Sequence, residues 1–275
     1  MRQQMMQRRK MEDSIGRIVY WRSDPFDLSR DTLFFLHGLT GNHTMFEQQF
    51  SFLGGSCNII AWDAPAHGES RPYPAFTYEN AAEGMKKILD ECGVSAVILI
   101  GQSMGGFLSQ AFICRYPERV KGFVAIDSTP YGEYYSKSDL WWLRQIEWMS
   151  KLFPEKLLKS SMAKQNAATQ SGRLNMAAMI GGYDKKELCH LMGIGYAGFL
   201  DDNRVCEIPC PVLLIVGEKD RTGKVRAYNR EWSKRTGYPL VWVPGAAHNS
   251  NVDNPAFVNQ EILRFIKNLN ETVKQ

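Results

Sequence analysis

Apolar residues gather along the chain in two rhythms. In the first, four or five successive positions are mostly apolar, at Thr32–Leu36, 58–62, 96–100, 122–126, 212–216 and Leu240–Val243. Runs this short, β-branched or aromatic and bounded by turn formers, predict strands, and apolar residues on successive positions predict burial on both faces. In the second rhythm, apolar residues recur at helical spacing, at Tyr78–Glu91, 105–115, 224–235 and 256–269. Alternation of the two predicts a mostly parallel sheet covered by helices. Residues 18–21 read as an extra antiparallel strand at the sheet edge.

The alternation lapses between 129 and 209. No strand pattern occurs there, yet Trp141, Trp142, Trp148, Met149, Met162, Met176, Met179 and Met192 fall within it. A structureless connection of that length inside a compact fold is rare, so a helical insertion is expected. The division that follows is a basic, flexible leader at 1–14, a core at 15–128 and 210–275, and the helical insertion at 129–209. Trp141 and Trp142 are adjacent and point apart on a helix, so at most one of them lines a site.

Composition excludes several classes. The 275 residues are 44% hydrophobic, enough for a sizeable core. Lys and Arg number 33 against 29 Asp and Glu; setting aside Arg2, Arg8, Arg9 and Lys10 leaves 29 of each sign, so no global field for nucleic acid is expected. No run approaches the ~18 apolar residues of a membrane span, and no apolar stretch follows the basic start as a secretory signal requires. The six cysteines, Cys57, Cys92, Cys114, Cys189, Cys206 and Cys210, lack metal-site spacing. They read as bystander thiols of a reducing cytoplasm.

The sharpest local signal is Gly101-Gln102-Ser103-Met104-Gly105, a G-x-S-x-G directly after one expected strand and before one expected helix. That context is what a nucleophile elbow needs: the turn is too tight for side chains at the glycines, and Ser103 is left exposed at the carboxyl edge of the sheet. A serine hydroxyl needs a base, and His248, on the loop after the strand Leu240–Val243, is the best placed of five histidines. The base needs a carboxylate. Asp220, four residues past 212–216, gives the chain order Ser, Asp, His; Glu218 in the same loop and Asp127 at the end of 122–126 compete for the role. Oxyanion donors are expected from the amides of Met104 and of Leu39, in the loop His37-Gly38-Leu39-Thr40-Gly41, with His37 bracing that loop.

Together with the segment Asp63-Ala64-Pro65-Ala66-His67-Gly68-Glu69-Ser70, these motifs resemble the α/β-hydrolase superfamily, within it the serine esterase, lactonase and cofactor-free haloperoxidase-like branch. The resemblance spans about 15 to 269. It implies an eight-stranded sheet with a lid after strand six, Ser103 as nucleophile, Asp220 and His248 as its partners, Leu39 and Met104 as oxyanion donors, and His67 in a structural turn. The chain departs from the pattern at Ala66, usually Gly, at Gln102, often His, and at Asn254-Pro255, often Glu-Pro. A serine at the elbow forms an acyl-enzyme, so the expected activity is hydrolysis of a carboxylic ester with an apolar acyl or aryl group, without metal or organic cofactor. A lactonase or C–C bond hydrolase would use the same residues, and a hydrolase-derived small-molecule receptor is the reading from another class. The expected partner is a small ester or lactone, with no nucleic acid and no stable membrane insertion.

Overall fold

The computed structural model describes residues 5–12 and 14–272. Its eight strands, β1 (Met5–Glu12), β2 (Arg17–Asp24), β3 (Thr32–Leu36), β4 (Asn58–Asp63), β5 (Val97–Gln102), β6 (Val120–Ile126), β7 (Val212–Gly217) and β8 (Leu240–Val243), form one sheet in the order β1-β2-β4-β3-β5-β6-β7-β8. Pairing is antiparallel from β1 through β2 to β4 and parallel from there on. All five residues of β3 are buried, as a central strand covered on both faces must be. Phe34 and Leu36 face one core with Trp62, Met85 and Phe112; Leu33 and Phe35 face the other with Phe46, Phe50 and Ile262. Each such side chain removed from water contributes roughly 1.5–3 kcal/mol.

The helices are α1 (Glu47–Leu53), α2 (Tyr78–Glu91), α3 (Met104–Ile113), α4 (Lys137–Lys151), α5 (Glu155–Asn166), α6 (Gln170–Gly181), α7 (Lys185–Asp202), α8 (Val225–Thr236), α9 (Ser250–Asp253) and α10 (Pro255–Thr272). Buried residues of α2, α3 and α8 fill the first core, and those of α1 and α10 the second. Four helices, α4 to α7, stand between β6 and β7, α4 against α7 and α5 against α6. They are fastened to the sheet domain by Arg115–Asp202 at 2.6 Å, by Tyr78 Oη donating to Gly195 O at 2.8 Å, and by Arg71 lying 4.2 Å over the Tyr183 ring.

Three expectations change. Residues 5–12 of the segment read as a flexible leader form β1, in register with β2 from Met5 opposite Asp24 to Glu12 opposite Arg17. Its exposed and half-buried positions show no apolar alternation; main-chain pairing with β2 and the Arg8–Glu69 ion pair hold it. Arg2 lies outside the described residues. The strand at 18–21 is antiparallel, but β1 takes the edge. Cys114, just past α3, and Cys206, just past α7, are joined in a disulfide across 92 residues. They are not the free thiols expected, and the case for a reducing compartment drawn from the cysteines falls with them. Among the described residues, no helix is long and apolar enough to cross a membrane.

Candidate active site

The turn from β5 into α3 is built for close approach. A Cβ on Gly105 would sit 1.8 Å from Leu36 O and one on Gly101 would sit 2.4 Å from Gly105 O, so neither position accepts a side chain. Between them Ser103 takes φ +49°, a conformation that costs a non-glycine residue of order 1–3 kcal/mol. Its surroundings hold it there. Ser103 N donates to Ile126 O at 2.8 Å, and Ser128 Oγ donates to Ser103 O at 2.8 Å.

Three distant segments meet at this turn. His248 Nε2 lies 2.9 Å from Ser103 Oγ, and His248 Nδ1 lies 2.9 Å from Asp220 Oδ2. Asp220 also accepts Thr222 N at 2.7 Å through Oδ1. His248 and Asp220 are both buried. Burial alone would push the imidazole pKa down; the charge and hydrogen bond of Asp220, with the charge of Asp127, outweigh it and hold the imidazole above its ordinary value.

The competing acids are placed elsewhere. Glu218 is exposed and accepts Gly245 N at 3.2 Å. Asp127 is buried and accepts two main-chain amides, Gly217 N at 2.7 Å and Ser250 N at 2.9 Å. Burial and the charge of Asp220 push its pKa up to about 8, against the pull of His248 and of those amides. His37 braces its loop: Nε2 accepts Ala64 N at 2.9 Å, and Nδ1 lies 2.8 Å from Gly38 O. His67 is buried in the turn after β4, Nδ1 3.0 Å from Pro65 O, away from the Ser103 hydroxyl's partners. The amides of Leu39 and Met104 carry no hydrogen bond among the described residues, the second because it opens α3. An unpartnered amide at a helix N-terminus beside a nucleophile is a ready donor to developing negative charge.

Several contributors gave no signal in the sequence. Gln102, noted there only as a departure, donates through Nε2 to His248 O at 2.8 Å and fixes the histidine's main chain. Asp253 accepts Ala247 N at 2.9 Å and also Ala168 N at 2.8 Å and Thr169 N at 2.9 Å, joining the histidine loop to the segment between α5 and α6. Asn249 N donates to Asn166 O at 2.7 Å, a second link to the inserted helices. Apart from Ala247, six residues before Asp253, each partner lies far off in sequence, so only folding pairs them.

Two cavities share the Ser103 hydroxyl and His248. One of 110 Å³ is bounded by Gly38, Leu39, Asn166 and Asn249; the other, of 560 Å³, is bounded by Phe107, Trp142, Leu143, Ile146, Met149 and Phe199. Of the adjacent tryptophans, Trp142 lines the larger cavity and Trp141 does not. Among the described residues the only lysine or arginine on either wall is Lys224, and Asp139 holds it at 2.7 Å. Among the described residues no group of histidines, cysteines and carboxylates is arranged to hold a metal ion.

Residues 31–159, from β3 into α5, match a family model of the alpha/beta hydrolase fold. The chain has the α/β-hydrolase fold. It is similar to a 2-(acetamidomethylene)succinate hydrolase of Mesorhizobium japonicum, 26% identical over 85% of this chain and 87% of that one. It is also similar to a 2-succinyl-6-hydroxy-2,4-cyclohexadiene-1-carboxylate synthase of Serratia proteamaculans, 22% identical over 88% and 95%. Among solved structures, a thermophilic esterase from Thermogutta terrifontis shares the fold of this hydrolase with a TM-score of 0.76 at 20% identity, covering 96% of this chain and 99% of that one. The enol-lactonase of Burkholderia xenovorans does so with a TM-score of 0.74 at 15% identity, covering 94% and 100%.

Proposed function

We propose that this hydrolase cleaves a carboxylic ester through an acyl-enzyme, with Ser103 as nucleophile, His248 as general base and acid, and Asp220 fixing the imidazole. The observation that carries the reading is the continuous pair of 2.9 Å contacts from Asp220 through His248 to Ser103. In the first half-reaction Ser103 Oγ attacks the carbonyl carbon while its proton passes to His248 Nε2. The tetrahedral oxyanion is met by the amides of Leu39 and Met104. Collapse expels the alcohol, which takes the proton from His248; water then repeats the sequence and releases the acid.

The substrate class follows from the walls. The 560 Å³ cavity is aromatic and aliphatic on the side of Phe107, Trp142 and Phe199, which favours an apolar acyl or aryl group. The two relatives named above carry succinate or carboxylate groups in their substrates or products. Here the only lysine or arginine of the two cavities among the described residues is already paired with Asp139, which weighs against a carboxylate beside the bond to be broken. Helices α4 to α7, which supply Trp142, Met149, Met192 and Phe199, act in this reading as the lid.

The test is turnover of p-nitrophenyl butyrate. Ser103→Ala is expected to lower kcat at least 1,000-fold, to about 0.1% or less, while melting within a few degrees of the natural protein. A variant that kept its turnover would remove the proposal. A fluorophosphonate label mapped to Ser103, absent from His248→Ala, provides an independent reading.

A further inference from the structure

Beside the catalytic cavities, and outside them, lies an open groove of 690 Å³. Five cationic side chains line it: Lys164 on α5, Arg173 on α6, Lys219 and Arg221 on either side of Asp220, and Arg226 on α8. Glu218 is the one carboxylate on its wall, so the groove carries as much net charge as the whole chain, which is +4. These cations are not spent on ion pairs. Among the described residues none of the five has a carboxylate partner; Arg173 and Arg226 donate to the main-chain oxygens of Ala167 and Glu218, which leaves their charge uncompensated.

The groove continues in two directions. Arg221 and Arg226 also line a neighbouring depression of 540 Å³ that adds Arg230, together with Asp220 and with Lys224, the lysine paired with Asp139. Gln165 lines the groove and both catalytic cavities, so one side chain borders both the space at Ser103 and the basic surface. The arrangement separates two demands. Apart from Lys224, which Asp139 neutralises, the walls next to the bond to be cleaved carry no lysine or arginine among the described residues, and the unpaired cations lie in the groove.

We propose that this groove binds phosphate groups carried on the leaving group of the substrate, at a distance from the cleaved bond, so that the acyl donor is an ester or thioester of a phosphorylated alcohol or thiol. Phosphate is the anion that best answers several separated cations, since one or two phosphates present many acceptor oxygens and more than one charge. The chemistry rests on the reading of Ser103 as nucleophile. For a thioester, the Oγ–acyl bond forms as the C–S bond breaks, the Ser103 proton passes through His248 to the thiolate, and water then releases the acid.

The test compares butyryl coenzyme A with the butyryl thioester of N-acetylcysteamine, which has the same acyl group and a thiol of the same kind without phosphates. In the full-length protein at low salt, kcat/KM for the coenzyme A ester is expected to exceed that for the short thioester at least about tenfold. The ratio should fall towards one in 0.5 M NaCl, because screening within about 3–5 Å removes interactions between exposed charges. It should fall equally in Lys164→Glu with Arg221→Glu, and inorganic pyrophosphate should inhibit turnover of the coenzyme A ester more than that of the short thioester. A ratio near one in the natural protein, or a high ratio that the charge reversals leave in place, overturns the proposal. Failure of the Ser103 mechanism is read separately, by titrating pyrophosphate into Ser103→Ala: saturable binding lost on charge reversal keeps the groove as an anion site, and absence of binding ends it.

Discussion

Asp127 accepts the main-chain N–H of Ser250 at 2.9 Å through Oδ2, and its other oxygen takes Gly217 N at 2.7 Å. One buried carboxylate thereby ties the end of β7, which leads to Asp220, to the start of α9, just beyond His248. It does not touch the imidazole; it sets the distance between the two segments that do. Asparagine has one acceptor and one donor where aspartate has two acceptors, so Asp127→Asn turns a donor against one of the two amides. The expected outcome is a loss of about 10- to 100-fold in kcat with KM within about threefold, alongside about 1–3 kcal/mol of stability. Steady-state kinetics of p-nitrophenyl butyrate checks it; an effect confined to KM contradicts a positioning role.

The pH profile follows from His248. In the proposed mechanism the imidazole is the general base and must be neutral, and Asp220 and Asp127 hold its pKa above the ordinary 6.5 despite burial. Protonation below that point removes the base, so kcat/KM rises with pH along a limb whose midpoint lies above 6.5. Asp127, pushed up to about 8, gains its charge over the same range and spreads the limb. In Asp127→Asn the limb is expected to be sharper and to lie at lower pH, as read from kcat/KM between pH 5 and 9.

His67 predicts loss of stability in acid. It is fully buried, and burial together with the charge of His37 lowers its pKa to about 3. In the unfolded chain it takes up a proton near 6.5, and in the folded chain only near 3. The unfolded state therefore binds more protons below 6.5, and stability is lost as pH falls from 6.5 toward 3, by up to roughly 1.4 kcal/mol per pH unit. His37 is shifted in the same direction by its own burial. Urea denaturation at pH 7 and pH 5 should show a steeper loss in the natural protein than in His67→Gln; equal pH dependence in the two contradicts it.

The Cys114–Cys206 bond closes a loop that holds β6 and all four inserted helices. Constraint of so long a loop in the unfolded chain stabilises the fold by about 2–4 kcal/mol. Cys206→Ser, Cys114→Ser and the double substitution should each lower the urea midpoint by the same amount, because all three remove one bond. Dithiothreitol should do so in the natural protein and not in the variants. Separate, additive losses would mean that the two sulfurs act independently.

Much of this architecture is already present in local patterns. The run at Thr32–Leu36 and the helix Tyr78–Glu91 have the bounds that periodicity and turn residues give them, because burial on two faces or on one stripe leaves a mark on every residue of such an element; Leu240–Val243 also has its expected bounds, although at the sheet edge only Val243 is fully buried. The serine elbow is equally plain, since its glycines answer steric demands within five residues. β1 escaped that reading: an exposed edge strand is held by main-chain pairing, which imposes no apolar alternation.

What the chain alone could not decide were the meetings of distant groups. Asp220 and Asp127 are both acids just past buried strands, and the sequence offers no distance to either. Only the assembled sheet puts Asp220 on the imidazole and Asp127 on the amides of Gly217 and Ser250. Gln102 on His248, the cysteine pair, and the basic groove gathered from α5, α6, α8 and the loop after β7 arise in the same way. Local patterning records what each residue buries, because that cost falls on the residue itself. Which partners share a site depends on strand order and crossovers, and these are properties of the folded whole.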